Sequence, residues 1–142
     1  MKIIRRDSLR ILQWNADVLN TKMDELKARA VDMNLDVILI QETKLKPHMK
    51  TPRIPGFKEA MRQDRIVIDG GGLLCYTKDT VIFEKLFMRV KSATEAASFR
   101  IRMDKTNWVH ITNVYIPPAH SKGQEINFSP EVIPVVESSI IC

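Results

Sequence analysis

At 142 residues, 44% of them apolar and 27% charged, the chain has the length and composition of one folded domain rather than of a disordered or low-complexity segment. No apolar run approaches the roughly 20 residues of a membrane span, and the two cysteines, Cys75 and Cys142, offer neither metal spacing nor a disulfide framework. The 22 Lys and Arg against 17 Asp and Glu leave a net charge of +5, which favours polyanions, nucleic acid foremost, although many basic domains bind none.

The basic start, Lys2 to Arg6, mimics a secretory leader. Gln13, Asn15 and Asp17 interrupt the stretch after it, and no small-residue cleavage site follows, so the chain reads as intracellular, without a signal peptide. Leu9 to Trp14 is a buried first strand that delivers Asn15 at its end. Thr21-Lys22-Met23-Asp24 has the spacing of a capping box. Met23, Leu26, Ala30 and Met33 then recur on one helical face, with Lys22, Glu25, Lys27, Arg29 and Asp32 on the others. Asn34 suits a left-handed cap and Leu35 the apolar contact that follows it. Asp36 to Gln41 is the second strand, and its four consecutive apolar residues imply cover on both faces. Strand, helix, strand makes a crossover unit, so the two strands run parallel and close together. Asn15 and Glu42 then emerge at the same end of the sheet, the end that ligand sites favour.

Thr43 to Phe57 holds three prolines, Pro47, Pro52 and Pro55, and reads as a loop. Its Lys44, Lys46, His48, Lys50 and Arg53 either follow a phosphate backbone or form a solvated surface. Arg65 to Ile68 is a short candidate strand. Gly70-Gly71-Gly72 lacks the spacing of a phosphate loop and opens no helix; a turn that admits close backbone approach is the better reading. Leu73 to Tyr76 and Val81 to Leu86 are strands. Phe99, Ile101 and Met103 alternate with Arg100, Arg102 and Asp104 in a half-buried strand. Lys105-Thr106-Asn107 is a hairpin turn, and Trp108 to Tyr115 returns, ended by Pro117-Pro118. Ser129-Pro130-Glu131 has the form of a helix start, with Pro134 limiting its length. Ser138 to Cys142 begins like another buried strand.

Three residues stand out. A carboxylate closing a buried strand, as Glu42 does, is costly unless it is paired, hydrogen-bonded or on a metal. Hard oxygen donors suit Mg²⁺ or Mn²⁺; the plainer alternative is an edge carboxylate in water. Asn15 orients a phosphate or carboxylate, or is a strand-end turn residue. Tyr115 presents its hydroxyl to a phosphate oxygen, or is a packing residue with a wet tip. His48, His110 and His120 are scattered without the pairing of a zinc site.

Taken together, Ile11-Leu12-Gln13-Trp14-Asn15, Val37-Ile38-Leu39-Ile40-Gln41-Glu42-Thr43, Gly71-Gly72-Leu73-Leu74 and Asn113-Val114-Tyr115-Ile116-Pro117 resemble the endonuclease/exonuclease/phosphatase superfamily. That group includes apurinic endonucleases, DNase I and the endonuclease domains of LINE-type non-LTR retrotransposons. The Gln-Glu-Thr and Asn-Val-Tyr-x-Pro forms are most similar to the retrotransposon branch, and within it to trypanosomatid elements of the ingi type. The resemblance implies an α/β fold, the N-terminal half of a DNase I-like four-layer αββα sandwich, with mixed sheets and one helix. It implies Mg²⁺ or Mn²⁺ as cofactor and DNA as partner. Glu42 matches the metal carboxylate, Asn15 the asparagine beside it, and Tyr115 the tyrosine that hydrogen-bonds the scissile phosphate. Lys44 and Lys46 lie where a DNA backbone would pass. The implied reaction is in-line hydrolysis of a phosphodiester.

The family pattern continues with Gly-Asp-x-Asn and later Ser-Asp-His, and neither occurs in this sequence. Ser138 to Cys142 looks like the strand that Gly-Asp-x-Asn follows. Pro118 stands where relatives often carry asparagine. The expectation is therefore one truncated domain over residues 1–142, inactive alone. Its inner sheet face should be uncovered and open to self-association. A non-catalytic remnant that binds nucleic acid or a partner protein is the alternative. A phosphatase for lipid or sugar phosphates shares the same motifs.

Overall fold

A computed structural model of the chain describes residues 5–65, 70–87 and 94–117, and the backbone of 139–141. The first strand, β1 (Ile11–Asn15), leads through a short 3₁₀ turn, Leu19–Thr21, into helix α1 (Met23–Asp32). The chain returns in β2 (Val37–Gln41), parallel to β1, with Asn15 opposite Gln41. This is the crossover read from the sequence. The helix closes as Asn34 suggests: Asn34 takes φ 49, its N–H reaches Val31 O, and Leu35 N–H reaches Ala30 O at 3.1 Å. The capping box does not form. The 3₁₀ turn aims the Thr21 hydroxyl back at Val18 O, 2.8 Å away, and Lys22 becomes the N-cap without a side-chain capping bond.

Two further strands complete this sheet, β3 (Phe57–Gln63) and β4 (Leu73–Lys78), in the order β1-β2-β4-β3. Loop 43–56 runs longer in the sequence reading than in the structure, because β3 begins at Phe57. A bulge between Glu59 and Met61 breaks the alternation there, so Ala60 and Met61 both join the core and the strand has no simple period. Arg65 lies outside any strand; the rest of the candidate strand at 66–68, and the helix start at 129–131, lie outside the described residues.

The second sheet has the order β5-β6-β7-β8, from β5 (Phe83–Leu86), β6 (Glu95–Arg102), β7 (Trp108–Tyr115) and β8 (Ser139–Ile141). The β6–β7 hairpin turns at Asp104, whose carboxylate accepts the N–H groups of Thr106 and Asn107. These bonds, with that from the Asn107 amide first, hold Asp104 down at about 2. β8 runs parallel to β7, with Ile140 opposite Ile111.

Two apolar layers follow from the pleat. On the outer side of the first sheet, Leu26 and Ala30 of α1 pack with Ile38, Ile40, Leu74 and Tyr76. Between the sheets, Val37, Leu39 and Cys75 meet Phe99, Ile101 and Ile111. Every residue of β2 is buried, as an apolar strand between two layers requires. The expected uncovered inner face is corrected by this second layer. The chain contributes strands to both sheets rather than the whole of one, and each sheet covers the other. Among the described residues no helix is long and apolar enough to cross a membrane.

Candidate active site

Three loops meet at one rim of the sandwich. They follow β1, follow β2 and precede β4. Ala16 N–H bonds Gln41 O at 3.0 Å, Val18 N–H bonds Glu42 O at 3.1 Å, and Leu19 N–H bonds Thr43 O at 3.0 Å. On the other side, Lys44 N–H reaches Gly71 O at 2.8 Å. Asp17, Val18, Glu42 and Lys44 all adopt positive φ, 44°, 75°, 52° and 54°. Such backbone costs about 1–2 kcal/mol per non-glycine residue, so the bonds between loops must impose it, and strain of this kind gathers at functional sites. Gly71 and Gly72 are needed for the close approach: a Cβ at Gly72 would strike Thr43 Oγ1, and one at Gly71 the guanidinium of Arg65.

The three residues singled out from the sequence converge here. Asn15 ends β1, exposed at the rim and in register with Gln41. Glu42 follows Gln41, half-buried, and its carboxylate accepts the hydroxyl of Tyr115 from the opposite sheet. A series of amides, buried at Gln41 and Asn113, holds the two sheets in this register. Gln13 Nε2 donates to Gln41 Oε1 at 3.2 Å, Gln41 Nε2 to Asn113 Oδ1 at 2.5 Å, and Asn113 Nδ2 to Ile40 O at 3.0 Å. Asn113 stands two residues before Tyr115, as Gln41 stands one before Glu42. Burial first, and then the bond to Glu42, push the Tyr115 phenol up to about 12, so it is a donor at neutral pH. Cys75, beside Asn113, is driven up to about 12 by burial and stays an inert thiol.

The two lysines are placed differently. Lys44 is exposed beside the site, its Nζ 2.5 Å from Asp17 Oδ1. That bond raises Lys44 and lowers Asp17 from their ordinary values. Lys46 is half-buried in loop 43–56, where its carbonyl accepts Arg62 Nη2 at 2.9 Å.

Sequence reasoning missed Arg65 and Glu95. Glu95 is the cross-strand partner of Tyr115. Its Oε2 accepts Arg65 Nε at 2.8 Å and its Oε1 accepts Gly72 N–H at 2.9 Å. Both oxygens are thus engaged, whereas Glu42 accepts the Tyr115 hydroxyl through Oε1 alone. Among the described residues no three His, Cys, Asp or Glu gather as a metal cage. Glu42 and the Asn15 carbonyl are hard oxygen donors, a set that fits Mg²⁺ or Mn²⁺ completed by water and phosphate oxygens.

Two facing mixed sheets with a helix outside one of them define the fold as part of a DNase I-like α/β sandwich. Solved structures share it. AP endonuclease LMAP from Leishmania major superposes with a TM-score of 0.61 at 16% identity, over 82% of this chain and 45% of that one. The 3′ phosphatase NExo from Neisseria, solved with a product DNA hairpin, gives 0.50 at 14% identity, over 73% of this chain and 40% of that one. The chain thus spans less than half of either protein. No family model matches it, and no curated protein is significantly similar to it in sequence.

Proposed function

We propose that this chain is the N-terminal part of a metal-dependent DNA endonuclease, of the type carried by LINE-like retrotransposons, acting in the nucleus. The observation that carries this reading is the hydrogen bond from Tyr115 to Glu42 across the two sheets, at the rim where Asn15 also ends. The DNA-processing proteins that share the fold support a nucleic-acid substrate, and so does the net charge of +5. In this reading Glu42 and Asn15 hold the cation, and Tyr115 turns its hydroxyl to a phosphate oxygen. Mg²⁺ or Mn²⁺, when bound, supplies charge compensation for the leaving oxygen. The remaining catalytic groups of the pattern, an aspartate that positions water and a histidine that stabilises the phosphate, belong to motifs this sequence lacks. The chain alone is therefore inactive. Supercoiled plasmid incubated with it and Mg²⁺ should stay supercoiled, and robust nicking abolished by Glu42→Ala would overturn that. Mn²⁺ should broaden the amide signals of Asn15, Glu42 and Tyr115 in wild type but not in Glu42→Ala; equal broadening in both removes Glu42 as ligand.

One observation favours a second reading, a non-catalytic nucleic-acid binder. Among the described residues no cluster of three potential metal ligands includes Glu42, and both oxygens of Glu95 are taken. Under this reading duplex DNA binds equally well with and without Mg²⁺, and Glu42→Ala changes nothing.

A further inference from the structure

Arg65 plays no part in the resemblance, yet it stands inside the site. Its guanidinium lies flat over Gly71, in the space a Cβ would fill. Nε is fixed by Glu95, and Glu95 is itself fixed by Gly72 N–H and by its place opposite Tyr115. The Arg65 side chain is only 20% exposed. Its Nη2 is buried and meets no acceptor. A buried donor without a partner costs about 1–3 kcal/mol, more when it carries charge, and in a native fold it calls for an explanation. A structural ion pair alone does not supply one, because Glu95 engages only the Nε corner of the fork.

We propose that Arg65 is the phosphate-binding cation of this site, with Glu95 as its positioning residue. An oxyanion of a DNA backbone phosphate meets the part of the guanidinium left open to solvent, beside the buried Nη2, while the Tyr115 hydroxyl donates to the same phosphate. The planar guanidinium suits such a contact, because one edge is clamped and the remaining N–H groups keep a fixed direction. Gly71 then serves to make room for the flat guanidinium. This inference rests on the reading of Glu42 and Tyr115 as a phosphodiester site.

The test uses the 142-residue chain with inorganic phosphate, with a short fluorescent DNA duplex, and with Mn²⁺ alone. Phosphate should shift the Arg65 Nε–Hε signal in nuclear magnetic resonance spectra. Arg65→Gln should weaken duplex binding about tenfold and reduce the salt slope by about one phosphate contact. Arg65→Lys keeps the charge but not the fork, and should lose most of that binding, while Mn²⁺ still broadens Glu42. If both variants bind phosphate and duplex like wild type while Glu42 takes Mn²⁺, the inference is wrong and the site reading survives. If Glu42 takes no Mn²⁺ but phosphate moves the Arg65 signal, the metal reading falls and Arg65 stands. Should neither bind in wild type, both fall. Where the variants fail to fold, the phosphate titration of the wild-type Arg65 signal decides.

Discussion

Tyr115 closes β7 in one sheet, Glu42 follows β2 in the other, and the phenol of the first donates a hydrogen bond to the carboxylate of the second. The partners are 73 positions apart, so only the stacking of the sheets can bring them together. Glu95, Arg65 and Gly72 extend the same contact on its far side. A phenol donor and a carboxylate acceptor at a rim, backed by a guanidinium bound to Glu95, form a polar cluster built from both sheets at once.

The protonation of Tyr115 tests that contact directly. Burial, then Glu42, raises Tyr115 to about 12. Tyr76, whose hydroxyl donates to Pro52 O at 2.6 Å, is raised too, chiefly by burial. The chain holds two tyrosines, so ultraviolet titration of the native protein should show no phenol ionising at the ordinary value of about 10. Glu42→Gln removes the charged acceptor and should bring one ionisation down while the other stays. The raised group binds its proton more tightly in the folded state. Its contribution to stability is therefore complete below pH about 10 and is lost as pH climbs towards the raised value. A wild-type step at the ordinary phenol value would sink the contact.

The amide series predicts a measurable coupling. Asn113 is fully buried, and Gln41 nearly so at 2% exposure. Asn113→Ala strands the Gln41 amide and the Ile40 carbonyl, so urea unfolding should show a loss of about 1–3 kcal/mol. Gln41→Ala should lose a similar amount. The double variant should lose less than the sum, by about 0.5–3 kcal/mol, because the two share one bond. Strictly additive losses would show that the amides do not act on each other.

The first half of the site was legible because its elements carry local periodicity. Leu9 to Trp14, the helical face from Met23, and the unbroken apolar run of β2 imply a parallel pair, and a parallel pair brings Asn15 and Glu42 to one end. Tyr115 was legible by resemblance and by the strand that Pro117 ends. Arg65 and Glu95 were not, since the pair is 30 positions apart and forms only once two sheets face each other. β3 was hidden by its bulge, and the start of β6 by Ala96, Ala97 and Ser98, small residues without a strand signature. Thr21 had the right spacing for a cap, but the hydroxyl found a nearer carbonyl in the 3₁₀ turn.

Gly72 should resist substitution more than an ordinary turn glycine. It combines φ 97 with a Cβ direction aimed at Thr43 Oγ1. Alanine there meets both a left-handed backbone penalty of about 1–2 kcal/mol and the collision. Thermal unfolding of Gly72→Ala should fall well below wild type. Adding Thr43→Ala should restore part of the loss, by removing the collision but not the backbone term. If the second change restores nothing, the Thr43 contact is not what limits the position.

Under the proposed reading, Asp17 and Lys44 set how much positive charge the rim would show to DNA. Their side chains are 65% and 39% exposed, and the bond between them ties the loop after β1 to the loop after β2. In this pairing the lysine stays protonated and its charge is offset by Asp17 at the place where, in the proposed reading, a phosphate backbone passes. Asp17→Asn leaves the loop length unchanged and frees the Lys44 charge. Duplex DNA should then bind more tightly, and its affinity should fall more steeply with salt, by about one further phosphate contact. Lys44→Ala should weaken binding less than removal of an unpaired lysine would, because Asp17 already offsets its charge. The two results are linked. If Asp17→Asn leaves both affinity and salt slope unchanged, Lys44 does not face the nucleic acid, and the path of the backbone must lie on the Arg65 side of the Gly70-Gly71 strap.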